Sequence, residues 1–169
     1  FQMKAHFFII VKRVGKPGYM TWEDIQYLHE QGMGIGSHGL THEILTTLSD
    51  TQAREELRAS KVAIEQNIGH PIDALSIPRG FCNDVILSAA QELGYKHVFI
   101  SERPRNITRS CFERIAVKGN WNIRRFELAL AGVIPLSERI LNIVKVIVKF
   151  VLRDKGYNFV RNLILKMVK

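Results

Sequence analysis

Short apolar runs alternate with polar stretches of helical period from the start of the chain. Phe7 to Val11 is a continuous apolar run of strand length, the kind buried on both faces of a parallel sheet. Thr21 is placed to cap a helix whose first turn holds Glu23 and Asp24, favourable at the positive end of the dipole. Ile25 and Leu28 make its inner face and Gly32 its stop. Met33 to Ser37 predicts a second strand. Ser49-Asp50-Thr51-Gln52 has the capping-box pattern and opens a long helix, with Ala53, Leu57, Ser60, Ile64 and Ile68 on one stripe and Gly69 and Pro71 ending it. Ala74 to Ile77 predicts a third strand leading into a Pro78-Arg79-Gly80 turn. Asn83 or Asp84 caps the next helix, with Val85, Ala89 and Leu93 inward and Gly94 at its end. Val98 to Ile100 predicts a fourth strand and Ile115 to Val117 a fifth, with Arg103 to Arg114 as a long polar loop between them. Strands alternating with helices mean parallel βα units.

The first chemistry in this frame is Gly36-Ser37-His38-Gly39-Leu40-Thr41-His42, two histidines spaced i, i+4 at a strand end. They enter a turn or a first helical turn. Four apart on a helical turn, the imidazoles stack one above the other and can reach one ion. Neutral imidazole suits zinc and other divalent transition metals. On spacing alone, the commoner reading is a pair of surface or satisfied histidines, because a hydrolytic zinc site has three protein ligands plus a water.

Neighbouring motifs change that balance. Lys4-Ala5-His6-Phe7-Phe8-Ile9, Gly15-Lys16-Pro17-Gly18-Tyr19-Met20-Thr21-Trp22, Ile35 through His42, and Leu45-Thr46-Thr47-Leu48-Ser49 come in order. The helix with Ala53-Arg54-Glu55-Glu56-Leu57 and the turn Pro78-Arg79-Gly80 before Asn83-Asp84 follow. From Phe1 to about Ser101 the chain resembles the polysaccharide deacetylase family, also called NodB-homology or carbohydrate esterase family 4. The resemblance implies an α/β chain folded as a NodB-like irregular (β/α) barrel that removes N-acetyl groups from amino-sugar polymers with a divalent metal, zinc by its donor set. In the family two histidines and an aspartate bind the metal, a second aspartate is general base, and a late histidine is general acid. Carried over, His38 and His42 are metal ligands, and Pro78, Arg79 and Gly80 bind substrate by lining the groove. Active sites of βα barrels sit at the C-terminal strand ends, so both motifs are expected on one rim.

The departures are as specific. The family's aspartate pair belongs to a strand expected upstream of Phe1, so the barrel is expected to be incomplete and its catalytic residues are unassigned. Ser76 stands where many members place an arginine that orients the base, Arg79 replaces the usual tyrosine, and no Leu-x-His follows near the C-terminus. Glu43 neighbours His42, but adjacent side chains on a helix point about 100° apart. Asp84 is better explained as a helix cap. His6 is expected to pack at the far end of its strand, His29 and His70 to be solvated, and His97 to be a poor general acid. Trp22 is expected to pack, Lys118-Gly119-Asn120-Trp121 to form an aromatic turn, and Cys82 to be a buried thiol without activating neighbours.

The chain has 169 residues and a formal charge of +8, with only two cysteines, which make no disulfide framework. Six of those charges lie after Ser137, where eight basic residues face Glu138 and Asp154. A basic tail rather than a basic body argues against nucleic-acid binding. The domain division predicted is 1–134 for the deacetylase-like part and 135–169 for a basic amphipathic helical tail. In that tail Asn142, Lys145, Lys149 and Arg153 form a narrow polar stripe on an otherwise apolar run, too short and too charged for a membrane span. It reads as a helix docked on the barrel or as an interfacial helix making membrane-surface contact. The start at Phe1 shows no signal-peptide pattern and reads as a fragment or a processed product, and the family suggests a cell-envelope or periplasm-facing site. The function expected is hydrolysis of N-acetyl groups on an N-acetylated polysaccharide, in carbohydrate metabolism or envelope and exopolysaccharide synthesis. The alternatives are a degenerate member that binds glycan or a partner without catalysis, and a membrane-surface interaction protein acting through its tail.

Overall fold

The apolar runs become the strands of one parallel sheet. In the computed structural model, which describes residues 3–101 and 111–133, these strands are β1 (His6–Ile9), β2 (Gly34–Ser37), β3 (Ala74–Ser76), β4 (His97–Ile100) and β5 (Phe112–Glu113). They lie in the order β1-β2-β3-β4-β5, every neighbouring pair parallel. From β1 to β4 the strands are laid down side by side in chain order, each joined to the next across a helix, as in a (β/α) barrel. The helices are α1 (Trp22–Glu30), α2 (Asp50–Ile68), α3 (Asp84–Glu92) and α4 (Ile123–Leu130).

The predicted caps are made. The Thr21 hydroxyl accepts from the Asp24 amide while the Asp24 carboxylate accepts from the Thr21 amide, and Ser49 with Gln52 repeats the reciprocal pair. Each such cap contributes about 1 kcal/mol. Gly69 ends α2 in the left-handed region at φ 67°, and Asn83, not Asp84, caps α3 by accepting from the Ile86 amide at 2.9 Å. The α2 stripe buries Ala53, Leu57, Ser60 and Ile64 against the sheet, where Ile9, Ile35, Leu75, Ile77, Val98 and Ile100 complete the core.

Three expectations need correction. β1 stops at Ile9, and Val11–Arg13 is a single 3-10 turn, because the Val11 and Lys12 amides leave the ladder to bond the Gly39 and Leu40 carbonyls. Val85 is exposed rather than inward: α3 turns Ile86, Leu87, Ala89 and Ala90 into the core, so the apolar face starts one residue later. Ile115 to Val117 is not a strand. The fifth strand is Phe112–Glu113, inside the stretch expected to be a loop, and Ile115 and Val117 are exposed.

The chain divides into two compact units at Ile115/Ala116. In the second, Asn122 caps α4 and the Arg125 guanidinium lies 4.5 Å from the centre of the Trp121 ring, the aromatic-polar turn that the sequence suggests. The predicted tail helix at 135–169 lies outside the described residues.

Candidate active site

The site is assembled at the C-terminal ends of β1, β2, β3 and β4 by backbone and carboxylate ties. β2 runs into a loop from His38 to Ile44 that contains no helical turn, so the stacked-on-a-helix geometry considered for the two histidines does not occur. Their rings meet all the same, with centroids 4.9 Å apart in an edge-to-face arrangement. His42 reaches back by adopting φ 74°, a left-handed conformation that costs a non-glycine residue about 1 kcal/mol or more. Among the described residues the only other non-glycine at positive φ is Arg79, at 59°. Both strained residues therefore sit at this rim.

The histidine loop is held on every side. The His38 amide bonds the Ile9 carbonyl at 2.8 Å, and the Gly39 and Leu40 carbonyls accept from Val11 and Lys12. Buried beneath it, the Ser37 hydroxyl accepts from the Gly39 amide at 3.0 Å and meets the Ser60 hydroxyl of α2 at 2.8 Å. Glu56, also on α2, accepts from the Leu40 amide at 3.2 Å, the Thr41 amide at 3.0 Å and the Thr41 hydroxyl at 2.9 Å. The sequence reading gave Glu56 no role. Its signal is a carboxylate one position off the buried stripe of a long helix, at the edge of the covered face.

The second motif arrives beside the first. Pro78 packs on Gly39, where an added Cβ would lie 3.3 Å from Pro78 Cγ. Gly80, at φ 74°, lies so close to Ser101 at the end of β4 that a Cβ would come within 2.5 Å of the Ser101 backbone nitrogen. Its own amide bonds the Ile77 carbonyl at 3.0 Å and so is spent closing the turn. Arg79 is exposed at the tip of that turn.

His38 is set up as a neutral donor. Its Nδ1 lies 2.5 Å from the Ser76 carbonyl, which can only accept, so the proton sits on Nδ1 and Nε2 carries the lone pair. Burial lowers its pKa to about 4, helped by the neighbouring His42 and Arg114 and opposed by the bond to Ser76. His42 is also pushed below its ordinary value, first by burial and then by the charges of Arg79 and Arg13. Two neutral imidazoles side by side fit a divalent transition metal. Among the described residues no group of three or more His, Cys, Asp or Glu side chains is placed to hold one.

One guanidinium completes the rim, and the sequence reading missed it. Arg114 follows β5 and is half-buried. Its Nη1 donates to the Ser76 hydroxyl at 2.5 Å, and Nη2 donates to the Ile77 carbonyl and the Ser101 hydroxyl, both at 3.2 Å. Position 76 is where the family resemblance expects an arginine; here a charge of that kind is delivered to the Ser76 side chain from two strands away. No local pattern in Glu113-Arg114-Ile115 signals it, because the contact exists only once β5 is laid beside β4.

The family model described as polysaccharide deacetylase matches residues 1–98. The chain belongs to the polysaccharide deacetylase family. It is 31% identical to the Bacillus subtilis protein YxkH, itself named for this family, over 94 residues, which are 56% of this chain and 34% of that protein. It is 26% identical over 164 residues to a peptidoglycan-N-acetylglucosamine deacetylase of Bacillus cereus, covering 95% of this chain and 74% of the relative. The fold matches the crystal structure of a polysaccharide deacetylase from Bacillus cereus with a TM-score of 0.69 at 20% identity, over 77% of this chain and 42% of that one. This deacetylase-family chain thus spans about a third of the length of YxkH, and its α/β architecture is that of NodB-like deacetylases.

The remaining sequence candidates stand apart from the histidine pair. His6 is exposed at the start of β1 and stacks on Phe8 at 4.8 Å, the packing role expected of it. His29 and His70 meet each other at 5.0 Å, where two solvated rings were expected. His97 is exposed against Phe112. Trp22 packs against the core, and burial pushes the Cys82 thiol up to about 11. That value leaves it protonated and unreactive at neutral pH.

Proposed function

We propose that this chain carries the histidine rim of a metal-dependent hydrolase that removes N-acetyl groups from an amino-sugar polysaccharide. One observation carries the reading: His38 and His42 face each other on the rim, with His38 held as the neutral tautomer whose Nε2 is free to ligate. When bound, a divalent metal such as zinc polarises an acyl carbonyl and makes a water acidic enough to attack it. His38 and His42 would hold that metal. The Ser76 carbonyl fixes the His38 ring, Glu56 fixes the loop between the two ligands, and Pro78, Arg79 and Gly80 wall the groove in which a glycan lies. The Bacillus cereus relative is named for peptidoglycan, and an envelope glycan of that kind is the substrate class this reading favours.

The finding of two donors without a third among the described residues favours a second reading, a member that binds metal and glycan without turning it over. Calorimetric titration with zinc, together with acetate release from N-acetylglucosamine oligomers and from peptidoglycan, separates the two. Zinc affinity that falls about tenfold or more in both His38→Ala and His42→Ala, as loss of a ligand requires, together with acetate release, supports the hydrolase. Zinc and glycan binding without release supports the binding member. Equal zinc affinity in wild type and both variants overturns the metal site.

A further inference from the structure

At the opposite end of the sheet from the rim, two more imidazoles face each other. α1 leads into β2 and α2 into β3, so the last turns of both helices lie where those strands begin. His29 stands in the last turn of α1, and His70 follows the left-handed Gly69 that ends α2. Gln26 Nε2 donates to the Asn67 carbonyl at 2.5 Å and ties the two helix ends together. Beside that tie the His29 and His70 ring centroids are 5.0 Å apart, close to the 4.9 Å of His38 and His42. Imidazoles that share one tetrahedral ion at about 2.0–2.1 Å have centroids roughly 5 Å apart. His70 Nδ1 lies 2.8 Å from the Pro71 carbonyl, which can only accept, so the proton sits on Nδ1 and Nε2 keeps the lone pair. Donation of the second ring nitrogen to a backbone carbonyl is how metal-ligating histidines are oriented. The ring of His29 makes no hydrogen bond to a described residue, so either of its nitrogens is open to an ion. His70 is exposed and His29 only partly buried, which leaves the gap between them reachable from solvent.

We infer that His29 and His70 form a second site for a divalent transition metal, one that clips the end of α1 to the loop entering β3. Two imidazoles suit zinc, nickel and copper, whereas calcium and magnesium take oxygen ligands. Among the described residues no third His, Cys, Asp or Glu joins them, so water fills the remaining positions and copper binds more tightly than zinc. A plain ring contact explains the closeness of the two side chains, but not the outward lone pair of His70 beside a ring that makes no other bond. The two ligands come from different elements and meet only in the folded chain, so a bound ion stabilises the fold by mass action. The site shares no residue with the rim and does not depend on the hydrolase reading.

The test is titration of the full chain with zinc, followed by the ring-proton NMR signals of each histidine. The His29 and His70 signals should move together along one saturating curve. His29→Gln should weaken the response of His70 about tenfold or more, and His70→Gln that of His29, because each removes one of two ligands. Calcium should move neither ring. Thermal melts give a second readout: zinc should raise the melting temperature of His38→Ala, whose rim pair is broken, and raise it less once His29→Gln is added. His38→Ala should leave the His29 and His70 response in place, so the two metal sites stand or fall separately. A response of one ring only, separate curves for the two rings, or an equal effect of calcium overturns the clip. So does undiminished affinity in both glutamine variants, or a zinc-induced melting shift that His29→Gln leaves unchanged.

Discussion

Replacing Glu56 by alanine tests whether the histidine pair is held in place from α2. The Glu56 carboxylate accepts three hydrogen bonds from Leu40 and Thr41, at 3.2, 3.0 and 2.9 Å. Bonds to a charged group are worth about 1.5–3 kcal/mol each where water is excluded. Thr41 is exposed, so water replaces two of the three at little cost, whereas the Leu40 amide is partly covered. The expected loss is therefore about 2 kcal/mol for Glu56→Ala, and under about 1 kcal/mol for Glu56→Gln, whose amide oxygen still accepts from the backbone. Urea unfolding gives the stability, and amide exchange at Leu40 and Thr41 reports the loop itself. In Glu56→Ala the two amides should exchange faster while those of β2 stay protected, and zinc affinity should fall although no candidate ligand has been touched. Unchanged exchange at Leu40 and Thr41 together with unchanged stability would refute the idea that α2 sets the loop.

Two further outcomes follow from the same geometry. Gly80→Ala should destabilise by about 2–4 kcal/mol, combining a left-handed backbone with a Cβ forced onto the Ser101 backbone; a melting temperature within a degree of wild type would show that the turn is free to move. In metal-free buffer, stability should fall with pH through His38. Its folded pKa of about 4 lies below the ordinary 6.5, so the unfolded chain takes up the proton first; the contribution is complete above pH 6.5 and lost as pH drops towards 4. A fully shielded group would lose about 1.4 kcal/mol per pH unit, and solvent screening of a partly exposed ring reduces the total to roughly 2 kcal/mol. Urea midpoints at pH 7 and pH 5 should converge between wild type and His38→Gln; a parallel decline would remove the buried-histidine argument.

The elements whose signals are local were legible in the sequence. Capping residues Thr21 and Ser49 act within three positions of themselves, and Gly69 stops α2 through its own backbone, so pattern and structure agree. Signals that depend on what lies opposite were not. Val85 looks apolar and periodic, yet the face that packs is decided by where α3 meets α2, and that face begins at Ile86. Ile115 to Val117 has better strand composition than Phe112–Glu113, but pairing with Phe99 and Ile100 selects the latter. The site divides in the same way. His38, His42 and the Pro78 turn are visible as motifs because each is contiguous. Glu56 and Arg114 are single charged residues whose roles arise from chain segments 13 or more positions away, and a charge on a helix or after a strand has no local mark of that kind.

Ser76 ties the histidine side of the rim to its arginine side. Its carbonyl receives the His38 Nδ1 proton and its hydroxyl receives Arg114, so one residue of β3 sets a neutral base and a fixed cation side by side. The consequence is electrostatic. Arg114 disfavours a proton on His38, as Arg79 and Arg13 disfavour one on His42. The rim is therefore positive without spending either imidazole on a proton, which leaves both nitrogens available as donors while the surrounding charge draws anions inward. A metal bound by the two histidines would add to that positive field, so anions near the rim are expected to be held more tightly when zinc is present.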